Sequence, residues 1–187
     1  MSARALLIID IQNDYFPGGK MELEGAAAAA GKAREVLAAF RARGLPVFHV
    51  RHLSVRPGAT FFLPGTEGTE IHAAVRPAAG EPVIEKNFPN SFRATDLKEQ
   101  LERAGVKELV VAGMMTHMCV DASVRQASDY GFGVALLADA CATRTQKYGG
   151  ETVPARQVHA AFLAALNGAY AKVAPAEEIL KSLQELP

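Results

Sequence analysis

The sequence has no tryptophan, two cysteines and no excess charge of either sign. Each scarcity removes a class of protein. Cys119 and Cys141 are not in a CxxC spacing, so they make neither a disulfide framework nor a zinc-binding pattern. Twenty basic residues balance twenty acidic ones without a clustered Lys and Arg patch. An electrostatic case for nucleic acid or an anionic membrane surface is therefore missing, and the expected partner is a small-molecule substrate. Long apolar runs are missing too. The opening MSARALLIIDIQNDY carries an apolar stretch far too short for a signal peptide or a membrane span, and Asp10 interrupts it, which favours the cytoplasm. What remains is 187 residues, 49% of them hydrophobic, enough for one soluble domain over 1–187 with a substantial core.

Apolar runs and helical periodicities alternate along the chain. Leu6 to Ile11 is a continuous apolar run of strand length, broken only by Asp10, as in a central parallel strand covered on both faces. The alanine-rich Gly25 to Arg43 has Val36, Leu37 and Phe40 at helical spacing and stops at Gly44. Leu45 to Arg51 returns as a second strand, Pro82 to Lys86 as a third, Val106 to Ala112 as a fourth, Val134 to Ala138 as a fifth and Ala171 to Val173 as a last short one. Helices are expected at Asp96 to Ala104 with Thr95 as N-cap, from Cys119 through Tyr130, at Pro154 to Leu166, and after Pro175. The order strand, helix, strand predicts right-handed crossovers and a three-layer α/β/α sandwich around a mainly parallel sheet of about six strands. Between them, residues 52–81 form a long Pro, Gly and Thr-rich loop of the kind that covers a site, with Phe61 and Phe62 as pocket-lining or loop-pinning aromatics.

Three polar residues stand at the carboxyl ends of expected strands, where open α/β sheets place their ligands. Asp10 follows the first, Lys86 closes the third and Cys119 follows the fourth. Taken singly, each has a plain alternative: a turn-forming aspartate, a solvated lysine, a small buried thiol. Taken together, they are a nucleophile, a base and a cation at one sheet edge. Placement of Cys119 in a first helical turn adds the expectation of a lowered thiol pKa, from about 8.5 to roughly 3.5–7.5.

Four stretches then carry a resemblance: DIQNDYF from Asp10, PGTEGTEIH from Pro64, VIEKNFPNSF from Val83 and GMMTHMCVD from Gly113. Together, over nearly the whole chain, the sequence resembles the isochorismatase-like cysteine hydrolases, which include nicotinamidases, N-carbamoylsarcosine amidohydrolases and isochorismatases. The resemblance implies a catalytic triad of Asp10, Lys86 and Cys119, and a non-proline cis peptide at Met114–Met115. It also implies an oxyanion hole from the N–H groups of Met115 and Cys119, and substrate contacts from Tyr15, with Phe61 or Phe62 closing the pocket. The implied reaction is hydrolysis of a small amide or carbamoyl compound through a thioester, by a homo-oligomer, dimer or tetramer. Isochorismate hydrolysis and a non-catalytic binding or assembly homologue are the alternatives.

The pattern departs from the nicotinamidases, which carry a metal on an Asp-x-His after the second strand and a later His. Those positions here hold Arg51, Leu53 and Phe61, so no metal site and no cofactor is expected. His49, His52 and His72 are read as structural or solvated. His117, where the amidases often have aspartate, is a candidate second titrating group near the thiol.

Overall fold

In the computed structural model, which describes residues 3–185, the apolar runs become a six-stranded sheet. The ends of the expected domain, residues 1–2 and 186–187, lie outside the described residues. In chain order the elements are β1 (Ala3–Ile9), α1 (Ala26–Ala42), β2 (Val47–His52), β3 (Val83–Lys86), α2 (Leu97–Arg103), β4 (Val106–Met114), α3 (Asp121–Asp129), β5 (Gly133–Ala142), β6 (Gln146–Tyr148), β7 (Glu151–Val153), α4 (Ala155–Leu166), β8 (Lys172–Ala174) and α5 (Ala176–Gln184). The sheet order is β3-β2-β1-β4-β5-β8, and every pairing in it is parallel. The antiparallel hairpin β6–β7 stands apart from it.

Period-two alternation sorts the strands' side chains between two cores. Leu6 and Ile8 of β1 pack with the alanines, Val36, Leu37 and Phe40 of α1 and with Ile179 and Leu183 of α5. Leu7 and Ile9 face the other way, onto Leu97 and Leu101 of α2, Val124 of α3 and Leu166 of α4. Both faces being covered, the chain has no polar position between Arg4, near the start of β1, and Asp10. No helix among the described residues is long and apolar enough to cross a membrane.

Several expectations are corrected. The helix after β3 is capped by Asp96 rather than Thr95, although the Thr95 hydroxyl accepts a long bond from the Leu97 N–H, 3.5 Å. β5 runs on to Ala142, so Asp139 and Cys141 lie inside it, not beyond it. Its pairing with β4 shifts register between Val111 and Gly113, which lets the strand resume with Cys141 opposite Gly113. Gly113 itself is required: a Cβ there would sit 2.3 Å from the Ile9 carbonyl oxygen, so only glycine lets β1 and β4 approach this closely where both end.

The loop 52–81 is tied to the body by Glu81. The Arg41 guanidinium donates to both its oxygens at 2.8 and 2.7 Å, the neutral His49 ring donates through Nε2 at 2.9 Å, and the Ala78 N–H donates at 2.8 Å. These donors, Arg41 foremost, hold the Glu81 carboxyl down at about 2. A carboxyl depressed in the fold adds stability above its ordinary value near 4.5, and that stability is lost as pH falls toward 2. We therefore expect Glu81→Gln to cost about 1–2 kcal/mol at pH 7, or roughly 3–6 °C in Tm, allowing for solvent around Arg41. Melting curves for both proteins should converge between pH 4.5 and 2. A gap that stays constant over that range would show that the latch is not electrostatic.

Candidate active site

The sheet order places the site. From β1 the chain first builds outward through β2 to β3, then crosses back to add β4, β5 and β8 on the other side, so the crevice at the carboxyl ends of β1 and β4 is a topological switch point. Asp10 and Cys119 flank that crevice. Asp10 leaves β1 with φ +52°, a left-handed conformation that aspartate tolerates better than most residues, and its side chain is fully buried. Lys86 shares the inward face of β3 with Ile84, while Val83 and Glu85 point outward to solvent.

The long lysine stem carries the ammonium across the end of β2 into the crevice. There Lys86 Nζ lies 2.6 Å from Asp10 Oδ2, 3.4 Å from Cys119 Sγ and 3.0 Å from His52 Nδ1. An ammonium has three N–H donors, and here there are three acceptors. Burial alone lowers the Lys86 ammonium, but Asp10 and Cys119 more than offset it and leave it raised. Burial and the Lys86 charge push the His52 ring down to about 4, so it is neutral, accepts through Nδ1 and carries its proton on Nε2.

Cys119 does not open a regular helix. It lies in a π-helical turn, Thr116–Val120, ahead of α3, and is almost fully buried. Burial and the Asp10 carboxylate push its thiol up to about 12 against the pull of Lys86, the reverse of the lowering expected for an exposed first turn. The physical reason is charge balance in a dry pocket. Aspartate, ammonium and thiol sum to zero; losing the thiol proton to solvent leaves a buried net negative charge. Passing that proton to Asp10 keeps the sum at zero. The acceptor atom is close, because Asp10, His52 and Cys119 have their polar atoms within 4.8 Å of one another, and Asp10 Oδ1 has no hydrogen-bond partner among the described residues.

The segment after Asp10 builds the rest of the wall. Buried Gln12 grips the His52 backbone at both ends, accepting from its N–H at 2.8 Å and donating to its carbonyl at 2.9 Å, and donates also to the Thr69 carbonyl. Asp14 accepts from the Phe62 N–H at 2.6 Å and from the Lys20 N–H at 3.1 Å. Gly68 must be glycine, since a Cβ there would fall 2.2–2.4 Å from the Asp14 carboxylate. Tyr15 is buried, its ring centroid 4.7 Å from Phe62 and 6.1 Å from Phe61. Burial, then the charges of Cys119 and Asp10, raise the Tyr15 hydroxyl well above its ordinary value and keep it protonated. A cavity of about 320 Å³ is lined by Tyr15, Phe61, Phe62, His52, Met115 and Cys119 among others. Phe62 is thus at once pinned by the loop and part of the pocket wall. The Met114–Met115 peptide is cis.

His49, His72, His117 and Cys141 stay out of the crevice. His49 belongs to the Glu81 latch, and His72 stacks on Phe16 at 3.7 Å. Cys141 is a separate free thiol in β5. His117 bonds Thr143 Oγ1 through Nδ1 at 2.5 Å, sets its ring edge-on to Phe162 and does not line the Cys119 cavity. His52 is the histidine that sequence reasoning misplaced. The available signal was its register, directly opposite Lys86 in the β2–β3 pairing.

Asp10, His52 and Cys119 have the types and spacing of a three-ligand metal site. They do not fit one, because Lys86 Nζ already lies within hydrogen-bond distance of all three and supplies the positive charge a cation would bring. The positions at which the resemblance to nicotinamidases would put metal ligands hold Arg51, paired with Glu70 and Glu85, and the apolar Leu53 and Phe61. No step of the chemistry is routed through a metal.

A parallel α/β sheet that buries an acid, an ammonium and a sulfur together at its switch point holds groups suited to hydrolysis. The chain belongs to the isochorismatase family: the family model for the isochorismatase domain matches residues 4–178. It is 55% identical to the isochorismatase family protein YddQ of Bacillus subtilis (strain 168) over 95% of this chain and 98% of that one. It is 29% identical to a maleamate amidohydrolase of Pseudomonas putida over 97% of this chain and 87% of the other. A solved structure from Oleispira antarctica, of a protein taken to be an isochorismatase hydrolase, superposes with a TM-score of 0.93 at 51% identity, covering 96% of this chain and 97% of that one. The chain is a hydrolase of this family, whose relatives include amidohydrolases.

Proposed function

We propose that this hydrolase cleaves the carbon–nitrogen bond of a small amide or carbamoyl compound through a thioester on Cys119. The observation that carries the reading is the buried contact set of Lys86 Nζ, 2.6 Å from Asp10 and 3.4 Å from Cys119. Asp10 takes the thiol proton as Sγ attacks the carbonyl carbon, so charge stays balanced while the S–C bond forms. The N–H groups of Met115 and Cys119 steady the tetrahedral oxyanion. Collapse expels the amine, which leaves with the proton returned by Asp10. Water, deprotonated by the same carboxylate, then splits the thioester and the thiol is restored. Lys86, within reach of both Asp10 and the sulfur, offsets the negative charge on whichever of them carries it, while His52, fixed by Gln12, keeps Lys86 aimed. Tyr15, Phe61 and Phe62 form the apolar walls around the acyl group. The same reading takes residues 1–187 as one catalytic domain.

A panel of small primary amides, N-carbamoyl compounds and isochorismate tests the reaction class. The expected result is ammonia release from at least one amide or N-carbamoyl compound, matched in amount by the carboxylic acid from an amide, or by the free amine and carbon dioxide from an N-carbamoyl compound. Cleavage of isochorismate alone, with no ammonia from any of the others, would overturn the proposal.

A further inference from the structure

One charged side chain lining the Cys119 cavity takes no part in the chemistry above. Arg56 lies in the loop after β2, beside Ser54, Pro57 and Ala59, and lines the cavity that Cys119 closes at its other side. No aspartate or glutamate among the described residues lines that cavity with it. The Arg56 guanidinium has no hydrogen-bond or ion-pair partner among the described residues, whereas those of Arg4, Arg41, Arg51 and Arg125 each pair with a carboxylate. The remaining ionisable groups offer no competing charge. His52 is neutral, and Lys86 and Asp10 are buried against each other beneath the cavity floor. A second guanidinium, that of Arg144, lies near enough to Tyr15 and His117 to act on both.

We propose that Arg56 is a specificity-determining residue that pairs with a carboxylate on the substrate, so that the substrate class is a small anionic amide or N-carbamoyl acid. This rests on the reading of Cys119 as the acylated group. The cavity volume, about 320 Å³, is at the lower end of small-molecule sites, which suits a short acyl chain bridging sulfur and guanidinium. Guanidinium and carboxylate match in a planar, two-bond geometry. Because Arg56 is exposed, the pairing is partly screened, and the preference is expected to be about tenfold rather than a thousandfold. A cationic amide is disfavoured by the same charge.

Two ratios test this. The first, at Cys119, is the alkylation rate by iodoacetate over that by iodoacetamide, which differ in charge and little in size; peptide mapping identifies the alkylated sulfur. The second is kcat/KM for succinamate over that for succinamide, read by ammonia release. The expected result is that both ratios are about tenfold higher in the wild type than in Arg56→Gln, with the difference in KM, and that Arg56→Lys keeps most of the preference. Ratios equal within twofold in wild type and Arg56→Gln would overturn the anion subsite. If no amide or N-carbamoyl compound of the panel releases ammonia while the alkylation ratio still depends on Arg56, the amide reading fails and the anion subsite stands.

Discussion

Cys119→Ala is expected to abolish ammonia release, by a factor on the order of 10⁶, the scale on which removal of a covalent nucleophile acts in other hydrolases. Asp10→Asn is expected to cost about 10²–10⁴, the usual contribution of a positioned proton acceptor. The order of the two effects follows from the geometry. Without the sulfur no S–C bond forms, and the crevice retains only its binding groups. Without the carboxylate the sulfur remains, but its proton has lost its nearby acceptor while burial still opposes the thiolate. Steady-state kinetics on the best substrate of the panel, with Tm measured alongside to show that Cys119→Ala is folded, separates these cases. Rates within tenfold of wild type for Cys119→Ala would remove the nucleophile from the mechanism.

Lys86→Met is expected to be the most destabilising conservative-volume change in the chain, at about 3–5 kcal/mol, or roughly 6–20 °C in Tm. Methionine fills much of the space of the lysine stem. What it lacks is the charge that Asp10, fully buried, faces at 2.6 Å. Removing one partner of a buried pair strands the other, and the penalty for that exceeds the net worth of the pair. The double variant Asp10→Asn with Lys86→Met strands no charge. It is therefore expected to be less destabilised than the sum of the two single changes by more than about 1 kcal/mol. Urea unfolding of the four proteins measures the coupling; strict additivity would mean that the two groups do not sense each other in the folded state.

The parts of this structure legible in the sequence are those set by apolar periodicity. Continuous runs such as Leu6 to Ile9 are buried on both faces, so they declare central strands, and the polar or nucleophilic residues at or just past the strands' carboxyl ends mark the sheet's functional rim. That is why Asp10, Lys86 and Cys119 could be placed together before any coordinates. The hairpin Gln146–Tyr148 with Glu151–Val153 was not legible, because its residues are mostly exposed and carry no apolar alternation. The full length of β5 was hidden by Asp139, a polar residue inside the strand whose carboxylate accepts from the Ala176 N–H at 2.7 Å at the start of α5. The direction of the Cys119 shift was missed for a different reason. A helix-end argument counts local dipoles, whereas burial and the Asp10 carboxylate outweigh them, and neither is visible from the residues around Cys119 alone. Gln12 and Asp14 looked like loop residues, yet their side chains bond the backbones of His52 and Phe62, partners 40 and 48 positions away.

The most direct test of the central claim is to quench the wild-type protein in acid during turnover of an amide substrate and map its peptides by mass spectrometry. The account predicts an acyl group of the substrate's mass on Cys119, absent from Cys141 and removed by hydroxylamine. Sustained ammonia release with Cys119 unmodified at every time point, under conditions where the thioester is stable to the quench, would contradict it.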